Sequence, residues 1–482
     1  MISLEILNFS SKKVFIFVLG SLLASGLLVA SVSAQGDSSL WGSVSDETDA
    51  GVAGATVDIR NLETGTERIL TTDVSGHYNA SALPVGHYEI AASKTGFQIN
   101  RRSSINLAVG QREEVDFKLQ VGQVHQTVEV PAVSTVVQIT TEDDSGVVGE
   151  RQVKDLPLNG RSYDQLLTLN PGIINYTSQR SGGIGTSNSV AGNMFAVSGR
   201  RPQENLFLLN GVEFTSASEI NNTPGGTSGQ LLGVDAIREF AVVKDTYGAD
   251  YGKRPGAQIN IVTTNGTNDF HGSAYEFLRN SALDARNFFD HGDIPHFERN
   301  VFGASVGGPL VKDKTFVFAN YEGFRQALGV SDVTLVPDNT SRANAVASVQ
   351  PLLALWPVAN GPEILTSAGS ASGIAKAFSN PVQHIREDFG TVRFDQNVSN
   401  ADSLAAVYTV DDSDAHSPTS NPISFANVFL REQVASLSET HIFSPNVVNR
   451  ATFGFSRGAF YFNSGTTVAL PGWVNQAQPV GA

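Results

Sequence analysis

The stretch DFGTVRFDQ at residues 388–396 carries the residue pattern that decides the fold. Within it, Val392 and Phe394 alternate with Arg393 and Asp395. Because successive side chains of a β-strand point to opposite faces, this order predicts a strand with one apolar and one polar face. Such a strand fits a transmembrane barrel with lipid outside and water inside, and it equally fits a soluble sheet.

Six further strand candidates of similar length lie between residue 270 and the end of the sequence. They are residues 272–279, 301–308, 315–324, 403–411, 432–443 and 447–457. Some of their connections are tight, whereas residues 330–384 form a very long one with a predicted helix near residues 343–355. Because tight turns on one side and long loops on the other are typical of transmembrane barrels, we predict the first strands of a barrel in residues 265–482.

Residues 39–120 predict a small antiparallel β-sandwich. Short runs rich in β-branched and aromatic residues recur roughly every ten residues, separated by turn residues such as Asp73, Gly76 and Gly86. In residues 55–60 apolar and polar side chains alternate, which predicts one buried face and one solvent face.

Residues 146–264 predict an α+β unit, joined to the sandwich by a polar linker at residues 121–145. A short helix is predicted at residues 162–169, with Ser162 as its N-cap. Predicted strands follow at residues 195–198, 205–209, 239–244 and 258–263. Two loops are expected to be too polar and glycine-rich to pack, residues 181–192 and 223–229.

The first 34 residues predict export from the cytoplasm. Lys12 and Lys13 precede an apolar run at residues 14–32, and small residues at Val32-Ser33-Ala34 predict cleavage after Ala34. The alternative is an uncleaved anchor helix, since the run is nearly long enough to span a bilayer.

Composition excludes several functions. The formal net charge of −15 argues against nucleic acid as a partner, because phosphates would be repelled. The chain has no cysteine, which excludes thiolate metal sites and thiol nucleophiles.

Residues 39–120 resemble the carboxypeptidase-regulatory-like domain. The motifs that carry this resemblance are GSVSD (42–46), GATV (54–57), TDVSGHY (72–78), LPVGHYEI (83–90) and GF (96–97).

Residues 146–264 resemble the plug of TonB-dependent outer-membrane receptors, and the segment after them resembles the opening of their barrel. The plug motifs are LPLNGR (156–161), VSGRR (197–201), VDAIREF (234–240), YG (247–248) and GAQINIVT (256–263). The barrel motifs are NDFHGS (268–273) and FGASVGGPL (302–310). The three segments follow the order of the Oar-like subgroup, in which the regulatory-like sandwich precedes the plug.

This resemblance implies a mainly β protein: an N-terminal sandwich, an α+β plug and the first strands of an incomplete transmembrane barrel. It implies an outer-membrane receptor that takes up an extracellular ligand, with energy passed from the inner membrane by a TonB-type protein. The implied partners are that protein, outer-membrane lipid and a ligand that the sequence leaves open among glycans, peptides and metal chelates. Neither a catalytic site nor a cofactor is expected.

Eight residues in the plug motifs are candidates for structural or gating roles. They are Asn159, Gly160, Arg161, Gly199, Arg200, Arg201, Asn210 and Gly211. Plug arginines can pair with acidic groups on a barrel wall, and bidentate geometry defines such contacts.

Three features depart from the pattern. Asn210 stands where many plugs carry aspartate, which changes one charge and leaves the turn possible. Residues 126–130 (QTVEV) are the candidate for a TonB-box peptide. We count about seven barrel strands where such transporters need roughly 22, and the sequence ends without an aromatic-ended strand, so we expect an N-terminal fragment.

Other possible chemistry is weaker. His384 and Glu387 have zinc-ligand spacing but lack a third ligand. His291, Asp293 and His296 could hold a metal in a loop, and the cluster at residues 411–414 lacks the residues of a calcium loop and predicts a solvated turn. Residues 226–230 miss the nucleophile-elbow pattern.

The alternative function is a secreted or surface-attached β-rich adhesin that binds carbohydrate through the sandwich. It predicts a soluble protein once the signal peptide is removed.

Overall fold

The structure is a computed structural model that describes most of the chain after the predicted signal peptide. The described residues are 38–122, 127–131, 144–158, 160–175, 193–214, 223–244, 251–286, 294–419, 423–444 and 447–467. The predicted signal peptide at residues 1–34 lies outside them, as do Asn159, His291 and Asp293. In these ranges no helix is both long and apolar enough to cross a membrane.

The first unit is a β-sandwich of nine short strands. They are β1 (Ser38–Ser45), β2 (Thr56–Asn61), β3 (Glu67–Thr71), β4 (His77–Leu83), β5 (Gly86–Ser93), β6 (Ile99–Leu107), β7 (Arg112–Glu114), β8 (Phe117–Lys118) and β9 (Thr127–Pro131). One sheet has the order β4-β1-β7, with β8 also paired to β1, and the other has the order β3-β2-β5-β6-β9. Val57 and Ile59 are buried in the core between the sheets, as the alternation predicted.

Strand β6 was not predicted from the sequence. Its polar run at residues 101–104 hides the alternation, which returns only at the buried Ile105 and Leu107. The structure accommodates the charges by pairing Arg101 with Glu89 of β5 and placing Arg102 5.6 Å from the centre of the Phe117 ring. Strand β9, inside the predicted linker, pairs in parallel with β6.

The second unit, which we call the plug, is built around a five-stranded sheet with the order β10-β15-β16-β13-β14. Its elements are β10 (Asp144–Val148), α1 (Glu150–Asp155), a 3₁₀-helix (Tyr163–Leu169), β11 (Ile173–Asn175), β12 (Phe195–Val197), β13 (Leu206–Leu209), β14 (Val212–Glu213), β15 (Ile237–Lys244) and β16 (Gln258–Thr263). All eight residues of β15 are buried, since this strand lies inside the sheet and is covered on both faces.

The predicted helix at residues 162–169 is a 3₁₀-helix with Ser162 at its N-cap position, but the Ser162 side chain makes no capping hydrogen bond. The Ser162 hydroxyl instead accepts a hydrogen bond from the Leu231 backbone N–H at 2.7 Å and donates to Asp164. The N-cap position is therefore as predicted, but the hydroxyl binds these partners and does not bind the helix backbone.

The third unit, which we call the wall, is one antiparallel sheet of seven strands in the order β17-β18-β19-β23-β24-β25-β26. The strands are β17 (His271–Asn280), β18 (Phe297–Val311), β19 (Thr315–Gly329), β23 (Val382–Asn397), β24 (Asp402–Pro418), β25 (Ser424–Ser444) and β26 (Val447–Thr466). All seven predicted strands are present, and those from β18 onward are much longer than predicted.

The long connection between β19 and β23 has structure of its own. It contains β20 (Asp332–Pro337), α2 (Asn339–Ala343), α3 (Gln350–Leu353), β21 (Glu363–Leu365) and β22 (Ala371–Ser379). The three strands form a small sheet with the order β20-β22-β21, and the predicted helix is reduced to the two short helices.

Candidate functional site

The two faces of the wall differ in the way the sequence predicted. On β23, Thr391 is buried toward the plug and Arg393 donates to the Thr263 backbone carbonyl of the plug at 3.0 Å. Val392 points the other way and is 57% exposed. The outward row continues across the register from Val392 to Tyr408, Ala435 and Phe455 on the next three strands.

Four carboxylates form a band on the inner face of the wall. They are Glu322 on β19, Glu387 on β23, Asp411 on β24 and Glu432 on β25, with exposures of 0, 0, 2 and 3%. Asp411 lies directly opposite Glu432 in the register. The prediction of a solvated turn at residues 411–414 was wrong, because Asp411 lies inside a strand and points inward while Asp412 and Asp414 point outward to Arg386.

The plug covers this band with the loop at residues 223–233, which we call the seal loop. The prediction that residues 223–229 do not pack was wrong, since every residue of the seal loop is buried. Backbone N–H groups of the loop donate to the wall: Gly225 to Glu432 (3.4 Å), Thr227 to the Ser413 hydroxyl (2.9 Å), Ser228 to Glu387 (3.2 Å) and Gly233 to Glu322 (3.0 Å).

The glycines of the seal loop suggested a loop in solvent, but they are what allows its backbone to approach the wall. A Cβ atom built on Gly226 would lie 2.2 Å from the Glu387 carboxylate. Real Cβ atoms do not approach this closely, so only glycine lets the backbone reach the wall there.

Arg161 is the plug side chain that brings positive charge to the band. Its Nε donates to Glu322 at 3.2 Å, and its Nη2 donates to Asp235 of the plug at 3.3 Å. The guanidinium also lies 4.0 Å from the centre of the Tyr275 ring on β17. Burial by itself lowers the pKa of Arg161, but Glu322, Tyr275 and Asp235 outweigh burial and raise the pKa above its ordinary value.

Apolar contacts complete the seam between plug and wall. Leu232 and Ala236, on either side of the end of the seal loop, belong to a buried cluster with wall residues that include Phe324 and Phe389. On the other side, Val434 of β25 packs into the main core of the plug. Plug and wall therefore share buried surface in addition to hydrogen bonds.

Asn210 and Gly211 form the two-residue turn between β13 and β14. Both have positive φ, 49° and 82°, as the primed hairpin turn requires, so asparagine keeps the turn. The Asn210 side chain accepts a hydrogen bond from the Thr263 backbone N–H at 3.1 Å. Arg393 of the wall also donates to Thr263, so Thr263 connects this turn to the wall.

Of the remaining described candidates, three are exposed and one lies beside the seal loop. Gly199, Arg200 and Arg201 are exposed at the turn after β12. Gly160 precedes Arg161 next to Gln230 of the seal loop. Among the described candidate arginines, Arg161 is therefore the one that contacts the wall.

The possible metal ligands do not converge. His384 is exposed and Glu387 is buried, because residues three apart on a strand point to opposite faces. Among the described residues, Asp402, Glu439 and His441 bring ligand atoms within 4.8 Å of one another, but Asp402 and His441 already pair at 2.5 Å. We assign no metal to them.

Two family models match the chain. An outer membrane beta barrel domain matches residues 262–352 and 340–481, and a carboxypeptidase regulatory-like domain matches residues 39–120. These matches place an outer membrane beta barrel segment after a regulatory-like sandwich, and the curated relatives of the chain are named as TonB-dependent proteins. Its fold is the one predicted: a sandwich, a plug and strands of an outer-membrane barrel.

The relatives are named as a transporter and a receptor, not as enzymes. The chain is 24% identical over 63% of its length to the TonB-dependent transporter Oar of Myxococcus xanthus, covering 28% of that protein. It is 27% identical over 40% of its length to the probable TonB-dependent siderophore receptor PirA of Acinetobacter baumannii, covering 25%. The chain thus spans about a quarter of each relative's length.

A solved structure, the outer membrane transporter YddB from Escherichia coli, is also similar. It shares 15% identity with the chain, covers 66% of it and 39% of YddB, with a TM-score of 0.46.

Proposed function

We propose that the chain is part of an outer-membrane receptor that captures an extracellular ligand and admits it when the plug moves. The observation that carries this proposal is the seam between seal loop and wall. It consists of backbone hydrogen bonds to buried carboxyl groups and one arginine bridge, so breaking it leaves several buried polar groups without partners at once. A plug held in this way stays in place until work is done on it.

The energy source in this proposal is a TonB-type protein of the inner membrane, as the names of both relatives suggest. Buried charge pairs are worth several kcal/mol each when one partner is removed, so thermal motion alone opens such a seam rarely. The candidate TonB-box peptide is residues 126–130. Its residues 127–130 lie in β9 at the edge of the sandwich, and residue 126 lies outside the described residues.

Cysteine labelling tests the proposal without knowledge of the ligand. The chain has no native cysteine, so Ser228→Cys places a single thiol in the buried seal loop. We expect a membrane-impermeant maleimide to label this thiol faster in energised cells than in cells treated with a protonophore or lacking the TonB-type protein.

The matched control is Val74→Cys, because Val74 is 91% exposed on the sandwich. It should label at the same rate in both kinds of cell. Equal rates for Ser228→Cys in both kinds of cell would refute energised movement, and a product found soluble rather than in the membrane would favour the adhesin.

A further inference from the structure

One hairpin loop of the sandwich contacts both the plug and the wall. This loop, residues 62–66 between β2 and β3, we call the docking loop. Glu63 accepts two hydrogen bonds from Arg238 of the plug, at 2.6 and 2.7 Å, in the paired geometry of a bidentate bridge. The Arg238 side chain is only 7% exposed, so this bridge is largely shielded from water.

The same loop reaches the first strands of the wall. The Glu63 carbonyl accepts from the Asn268 backbone N–H at 2.9 Å, at the junction of plug and wall. Thr66 accepts a hydrogen bond from Asn397 at 2.9 Å, at the end of β23. A Cβ atom built on Gly65 would lie 2.1 Å from Asp313 in the turn between β18 and β19. The docking loop therefore fits against three separate parts of the chain.

The docking loop is built in advance by the sandwich. The buried Asn61 side chain accepts from the backbone N–H groups of Glu63 and Thr64 at 2.9 and 3.0 Å. This fixes the loop before it meets its partners, so little conformational entropy is lost on docking.

A second contact reinforces the first. Glu239, next to Arg238, accepts from the Val109 backbone N–H of the sandwich at 2.5 Å. Val85 and Val109 of the sandwich pack with Ala241 and Val262 of the plug. Arg238, Glu239 and Ala241 all belong to β15, the strand that follows the seal loop.

We propose that the sandwich is a clamp whose docking loop holds β15 and the turns of the wall together, so that it must undock before the plug rearranges. This deepens the proposed function and rests on it. Because Arg238 follows Gly233 by only a few residues, the docked sandwich also restrains the end of the seal loop that binds Glu322. Movement of the plug and release of the sandwich are then one event.

Hydrogen exchange of the purified full chain in detergent tests the clamp. Glu63→Gln keeps the shape of the side chain and removes the charge, and Gly65→Ala adds the Cβ that meets Asp313. We expect Glu63→Gln to raise amide exchange in residues 225–244 by tenfold or more. Gly65→Ala should raise it by a smaller factor, because the exposed Asp313 side chain can move away from the new Cβ. Exchange in the sandwich core at residues 56–60 should stay unchanged in both variants.

Each variant has a matched control. Glu67→Gln removes a carboxylate from an exposed pair on the same hairpin. Gly96→Ala imposes a side chain at a similar positive φ, 91°, with no atom within 4 Å. Neither should change exchange in the plug.

Unchanged plug exchange in Glu63→Gln and Gly65→Ala would overturn the clamp. Increased exchange in the sandwich core of both variants would also overturn it, because the loop would then act on the fold of the sandwich. Since this readout needs neither membrane energy nor ligand, a failed clamp is distinguishable from a failed receptor.

Discussion

Arg161 shows what a single buried charge contributes to the seam between plug and wall. It pairs with one carboxylate in the wall and one in the plug, so its removal leaves both carboxylates without this cation. The seal loop binds the wall differently, because its donors are backbone N–H groups, which no substitution other than proline removes.

Arg161→Met is expected to destabilise the plug by about 3–5 kcal/mol, because Glu322 is left buried without its cation. Pulse proteolysis of the plug in denaturant measures this change. Adding Glu322→Gln to Arg161→Met should recover part of the loss. Arg200→Met, at an exposed position, should stay within about 0.5 kcal/mol of the parent. Equal losses from the two arginine variants would contradict the assignment.

Asp164 is expected to make plug stability depend on pH. Burial raises its pKa to about 6, although hydrogen bonds from Ser162 and Asn193 act to lower the pKa. The folded value lies above the unfolded value of 3.8, so the favourable contribution is complete below about pH 4 and is lost as pH rises through 6. The full loss is about 3 kcal/mol.

Asp164→Asn should therefore flatten the fall in the plug's unfolding midpoint between pH 4 and 8. The unfolding midpoint should still fall somewhat with pH in this variant, because burial also raises the pKa of Glu239 to about 6. The exposed Asp155→Asn should leave the slope unchanged. A parent protein whose midpoint does not fall over this range would rule out an ionised, buried Asp164.

At the scale of elements, alternation predicted the centres of the wall strands and missed their ends. The outward side chains on the ends carry charge, as at Arg386 and Asp412, and a single sequence gives no sign that these two pair across strands at 2.6 Å. The seal loop was missed for a related reason. Its glycines and hydroxyls are typical of solvent loops, and only the facing carboxylates, 89 to 207 residues away in the sequence, make burial favourable.

The outward face of the wall carries its own prediction. Val392→Lys places a charge in the middle of the apolar row and should cost about 2–4 kcal/mol of stability in the membrane. Val398→Lys, at a 65% exposed valine in the turn after β23, should cost little. Denaturant titration of the protein refolded into lipid vesicles compares the two. Equal costs would mean that this face meets water.

At the scale of the whole molecule, the three units meet around β15 and the seal loop. The sandwich binds the start of β15, the wall binds the seal loop, and β15 belongs to the plug sheet. The order of the three units was visible in the sequence motifs. The contacts among them were not, because Glu63 and Arg238 are ordinary charged residues until the fold brings them together.

The carboxylate band has a consequence for how the protein is assembled. Without the seal loop, Glu387 and its neighbours lack the backbone N–H groups that bind them, and curling the sheet would bury several carboxyl groups without partners. We therefore expect the plug to fold first and the wall strands to assemble around it. Without the plug, we expect the wall sheet to remain flat and assembly to stop at that stage.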